Sequence, residues 1–131
     1  MNYNQIGILL GIIVILFILL TWKKIQNPYL KSTWKSGLLV FSLYAVLLIF
    51  IEVRWHFISE FADKFDLNGN GFVDLNEYSD EAIEAMNKRT YGATIRLYAP
   101  LTMGALSAII GFSYLISDIT VMRLKNKEFK K

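Results

Sequence analysis

Cysteine is absent from the 131 residues. That excludes structural disulfides, thiolate nucleophiles and thiolate metal sites, and it leaves the redox compartment unreadable. There is one histidine, His56, and no serine within a nucleophile motif. Acyl-transfer and zinc chemistry therefore have little to work with, and the chain is not expected to be an enzyme. His56 stands next to Trp55, where it reads as an interfacial side chain rather than a metal ligand. Charge is sparse at 19%, and the net excess of +3 is localised at the edges of apolar runs, so nucleic acid is not an expected partner.

Apolar residues are plentiful: 54% of the chain is hydrophobic and 15% aromatic. Most of them fall in three runs, residues 6–22, 37–53 and 97–122, with the charges between and after. The first run is read as a retained anchor rather than a cleavable signal, because Met1 to Gln5 contain no Lys or Arg, and Thr21-Trp22-Lys23-Lys24 follows in place of a small-x-small cleavage site. As a helix its 17 residues span about 26 Å, slightly less than a hydrocarbon core of about 30 Å, and flanking lysines and aromatics make up the difference. Pro100, near the start of the third run, is expected to kink a helix or mark its first turn. Asn27-Pro28 reads as the turn between the first two spans.

Basic residues set the expected orientation, because Lys and Arg near span ends stay on the cytoplasmic side. Lys23, Lys24, Lys31 and Lys35 in the first connection share one side with Arg123, Lys125, Lys127, Lys130 and Lys131. The opposite side holds Arg54, Lys64, Lys88, Arg89 and Arg96 among eight acids. The reading is an integral protein of a cell or inner membrane, with the amino terminus and the segment 54–96 external and the tail cytoplasmic. Trp22, Tyr29 and Trp34 suit the inner interface; Tyr3, Trp55, Tyr91 and Tyr98 suit the outer one.

One motif is specific. Asp66-Leu67-Asn68-Gly69-Asn70-Gly71-Phe72-Val73-Asp74-Leu75-Asn76-Glu77 matches D-x-[DN]-x-[DN]-G-x5-E at every fixed position. It resembles an EF-hand, across roughly residues 55–86. The resemblance implies a bound calcium ion, which needs six to eight oxygens. By it, Asp66, Asn68 and Asn70 supply side-chain oxygens, Phe72 a backbone carbonyl, Asp74 a direct or water-mediated contact and Glu77 a bidentate carboxylate, while Gly71 permits the sharp turn. The alternative is an Asn/Gly-rich acidic turn that binds nothing. With Asn68 and Asn70 neutral, only three ligands are acidic and a modest affinity is expected. At a dissociation constant of about 0.1 mM and calcium of about 1 mM, binding stabilises by roughly 1.4 kcal/mol.

Ile58, Phe61, Ala62 and Phe65 are expected on one face of an entering helix, and Leu75, Tyr78, Ala82 and Met86 on one face of an exiting helix. No second loop occurs, so Val73, at the position where paired hands bridge, lacks a partner within the chain. No glycine or proline interrupts residues 38–68, and the second span is expected to run straight into the entering helix. A short connection, 87–92, then returns the chain to the third span.

The fold class is thus an all-α membrane protein: three transmembrane helices with an EF-hand helix-loop-helix inserted between the second and third. Residues 1–54 form the first two spans, 55–90 the external hand, 91–122 the third span and 123–131 a basic tail. Small residues Gly7 and Gly11, Gly104 and Ala108, and Ser107 and Gly111 recur at four-residue spacing, either for contact within one bundle or for an oligomer. Glu52 and Arg96 are read as snorkelling to the headgroups rather than as a pair, and Asp118 as a solvated or lysine-neighboured carboxylate.

The function expected is a calcium-binding accessory or assembly protein whose external hand fixes the geometry of the second and third spans. Membrane lipid and a protein partner or second copy are the implied partners. The alternative is a calcium-gated homo-oligomeric pore, since three spans, an external amino terminus and a charged inner tail also resemble one class of phage holins in topology.

Overall fold

A computed structural model describes residues 1–71 and 73–130. Three long helices account for most of them: α1 (Tyr3–Thr21), α2 (Pro28–Asp63) and α3 (Asp80–Glu128), with single 3-10 turns at Trp22–Lys24 and Leu75–Glu77 and no strand among the described residues. All three helices are long and apolar enough to cross a membrane.

Local chemistry places each helix start. The Asn2 side chain accepts from the Gln5 amide at 2.8 Å while the Asn2 amide donates to the Gln5 side chain at 3.2 Å, a reciprocal cap on α1. At α2 the Asn27 side chain accepts from the Tyr29 amide at 2.9 Å, with Pro28 in the first turn, where its missing N–H costs nothing. At α3 the Ser79 hydroxyl accepts from the Ala82 amide at 3.1 Å, and Asp80 and Glu81 complement the helix dipole.

Helix length determines the shape. The 19, 36 and 49 residues of α1, α2 and α3 correspond to about 29, 54 and 74 Å of helix. The start of α1 meets α2 at Glu52, so α2 continues some three turns past the three-helix bundle as one arm of a two-helix extension. The first part of α3 is the other arm. One expectation is corrected here: residues 87–92 are part of α3 rather than a connection. The helix also continues into the basic tail as far as Glu128. Pro100 lies inside α3 and does not begin it, leaving the Arg96 carbonyl without its usual amide donor.

The interior of the bundle is mostly small, with Leu48 and Ile18 its larger apolar members, and its outside is large and apolar. Gly7, Gly11, Ser32, Ser36, Ala45, Ser107 and Gly111 are buried, whereas Leu9, Leu10, Ile13, Leu16, Phe17 and Leu20 of α1 are exposed. Water would reject that surface, but acyl chains match it. Lipid leaves close backbone approach and interhelical hydrogen bonds as the adhesive terms between helices. A Cβ on Gly7 would stand 2.7 Å from Leu48 Cδ1, and one on Gly111 would overlap the Val40 side chain. The small-residue faces are thus used inside the chain, against α2. Beside them the Ser36 hydroxyl donates to the Gly111 carbonyl at 2.7 Å, and the Trp34 indole donates to Thr21 Oγ1 at 2.9 Å.

Candidate functional site

The segment between α2 and α3 contains the candidate metal ligands. Three successive amides, those of Lys64, Phe65 and Asp66, donate three residues back and close α2 with a tight turn. The loop then folds onto its own carboxylates. Gly71, at φ +87°, donates its amide to Asp66 Oδ2 at 2.7 Å, a backbone geometry that a Cβ would resist. Glu77 reaches back along the loop: its Oε1 accepts from the Asn68 amide at 3.0 Å and its Oε2 from the Asp74 amide at 2.9 Å. Asp74 Oδ2 accepts from Asn68 Nδ2 at 2.7 Å and Asn70 Nδ2 at 2.9 Å.

Asp66, Asn68, Asn70, Asp74 and Glu77 are therefore tied into one short loop by side-chain and backbone hydrogen bonds, while Phe72 lies outside the described residues. Among the described residues, no group of three or more His, Asp and Glu side chains is placed to hold a metal ion. The donors reaching Asp74 and Glu77 are N–H groups, and each carboxylate oxygen has lone pairs beyond the ones these occupy. Asp66 Oδ1 differs: it is buried and has no hydrogen-bond partner among the described residues.

The flanks match the expected faces in part. Ala62 is buried and Phe65 half-buried, with Phe61 stacked edge-on against Phe65 at 5.5 Å between centroids, although Phe61 stays largely exposed. On the other side, Ala82 is buried and Met86 half-buried, but Leu75 and Tyr78 are exposed and precede the helix. The exiting helix starts at Asp80 because Ser79 supplies the cap, so Tyr78 and Ser79 separate it from the 66–77 loop. Arg89 Nη1 and Asp63 Oδ1, 2.9 Å apart, bridge the two arms directly beneath the loop.

A second polar cluster sits about three helical turns further back along α2. Glu52 and Arg96 form a two-point ion pair, at 2.7 and 2.9 Å, with the Arg96 guanidinium also 5.1 Å from the Trp55 ring. Asn4 Nδ2 donates to the same carboxylate at 2.8 Å and Asn2 Nδ2 at 3.3 Å. The snorkelling expectation for Glu52 and Arg96 is thus corrected: three helices converge on this carboxylate, and pairing inside the bundle satisfies both charges. Asp118 also gains a partner, accepting from the buried Ser32 hydroxyl at 2.6 Å. His56 is exposed, 3.9 Å from Glu60, with its ring tilted against Phe57.

Asn4 and Ser32 escaped the sequence reading. For Ser32 the available signal was spacing, since Ser36 stands one helical turn further along the same face of α2. Asn4 had no such marker, since the amino-terminal turn of an apolar helix commonly carries polar residues. No family profile, curated protein or solved structure matches this chain.

Proposed function

We propose that this chain is a calcium-binding accessory or assembly protein of a membrane, in which the 66–77 loop takes up a calcium ion and thereby fixes the angle between α2 and α3. One observation supports this reading above the others. The loop joins two long helices, each extending from an apolar span and each separated from the 66–77 segment by only two residues, so its closure acts on the spans through short connections. The sequence match supplies the donor set, and Asp66 Oδ1, buried and without a hydrogen-bond partner among the described residues, is a carboxylate oxygen able to take a positive one.

For the ion to enter, the Asn68 and Asn70 side chains must exchange the N–H groups they now give Asp74 for their amide oxygens. Rotation of the terminal amides does this, and for Asn68 it also releases the Asn70 backbone amide from which its Oδ1 now accepts at 3.1 Å. Bound calcium would supply the positive charge that those N–H groups now approximate. An external location would keep a modest-affinity loop mostly occupied, which suits a structural clip.

The test is calorimetric titration of the detergent-solubilised full-length protein with calcium, beside a Glu77→Gln variant, and spin-label distances between the α2 and α3 arms. The expected result is heat that disappears in the variant and a distance distribution that narrows with calcium. No heat in the wild-type protein overturns calcium binding. Heat with unchanged distances removes the mechanical role and leaves a passive ion site.

A further inference from the structure

The opposite end of the bundle contains a feature unrelated to calcium. Arg123 and Lys127, on successive turns at the end of α3, and Lys130, in the turn that follows it, line a recess completed by Tyr29, from the first turn of α2, and by Thr120. None of the three cations forms an ion pair among the described residues. Lys31, by contrast, lies over the Trp22 ring at 5.7 Å. Tyr29 and Asn126 are shared with an adjoining recess whose other walls are Pro28, Met122, the exposed Phe129 and one further cation, Lys125. A cationic pocket and a mainly apolar one with a single lysine at its wall therefore meet along the Tyr29–Asn126 seam, where an apolar span ends.

We propose that this seam is a binding site for an anionic phospholipid. Its phosphodiester would sit among Arg123, Lys127 and Lys130, with its glycerol and first acyl carbons against Pro28, Met122 and Phe129. Charge complementarity selects an anion. The adjoining apolar recess selects an amphiphile over a free phosphate, and the position at the end of an apolar span is where headgroups lie. The role goes beyond orienting the chain, because general retention of positive charge requires no cations aligned on one face around a tyrosine.

The test is titration of the full-length protein in nonionic detergent with short-chain phosphatidylglycerol, phosphatidylcholine or inorganic phosphate, with helicity checked by circular dichroism. At about 1 kcal/mol per cation, R123Q/K127Q/K130Q together should weaken phosphatidylglycerol binding about 100-fold, and Lys130→Gln alone, beyond the helix end, about fivefold. A control removing the same charge elsewhere, K23Q/K24Q/K35Q, should bind like the wild type, since those lysines line neither recess. Equal weakening in the control would show only diffuse attraction to the basic end and would overturn the site. So would phosphatidylcholine binding as tightly, inorganic phosphate competing at the same concentration as the lipid, or unaltered binding by Lys130→Gln. Should the triple variant lose its helicity, the single variant and the competition experiment decide the matter.

Discussion

Glu52 on α2 and Arg96 on α3 face each other as a planar fork on a carboxylate, and the same carboxylate accepts from Asn4 on α1. Their side chains retain only 18% and 27% exposure, so neither charge can be returned cheaply to water. Removing one partner leaves the other stranded: Arg96→Ala should cost roughly 2–4 kcal/mol. The measurement is unfolding of the micelle-bound protein in increasing denaturing detergent. Replacing both residues, E52L with R96L, should recover most but not all of the loss, because Asn2 and Asn4 then lose their acceptor. Wild-type stability in Arg96→Ala would mean that the pair is incidental.

The Arg89–Asp63 bridge provides a contrast in kind. Its side chains are 42% and 62% exposed, and solvent screens them. Arg89→Ala should change stability by less than about 1 kcal/mol, and added salt should erase the difference. A salt-insensitive loss of several kcal/mol would show instead that the two arms depend on this contact.

Glycine positions along α3 should divide sharply. At Gly111 a methyl group overlaps Val40, whereas at Gly104 the nearest atom, Tyr44 Cε2, would be 3.6 Å away. Gly111→Ala should therefore destabilise by about 1–3 kcal/mol, while Gly104→Ala should be neutral or stabilise by up to about 1 kcal/mol through helix propensity. Equal effects at the two sites would contradict the close approach of α3 to α2 at Gly111.

Gly71 tests the loop by itself. A Cβ there meets nothing within 4 Å, so Gly71→Ala strains only the backbone at φ +87°. That strain is about 1–2 kcal/mol. If the calcium-free variant loop relaxes out of this turn and the bound loop must re-form it, calcium binding should weaken about tenfold in calorimetry while the thermal unfolding of the bundle stays as in the wild type. Unchanged calcium affinity would indicate that binding does not use this turn.

Much of the architecture was legible before any coordinates. Three apolar runs separated by charge give three membrane-length helices, because a run that long can satisfy its backbone in lipid only as a helix. Hydropathy is a local property and is written residue by residue. Continuity of α2 past its apolar run was equally readable, since no glycine or proline interrupts it. Where α3 begins was less so. The motif pointed to Leu75, but a serine cap at Ser79 competes with it locally, and the cap prevails in the structure.

Partnership was the part that the order of residues could not express. Taken singly, Glu52, Arg96 and Asp118 look like charges escaping toward water, because reading one helix at a time assigns each charge the nearest solvent. Once three helices pack, Arg96 lies within 2.7 Å of Glu52 and Ser32 within 2.6 Å of Asp118, and pairing replaces escape. The same packing turns Gly7 and Gly111 inward against α2. Sequence alone determined how many apolar helices there are, how far they run and which loop carries the acidic motif. The tertiary structure alone decided which polar groups meet, since contacts separated by 44 and 86 positions depend on helix rotation and register, which no local pattern encodes.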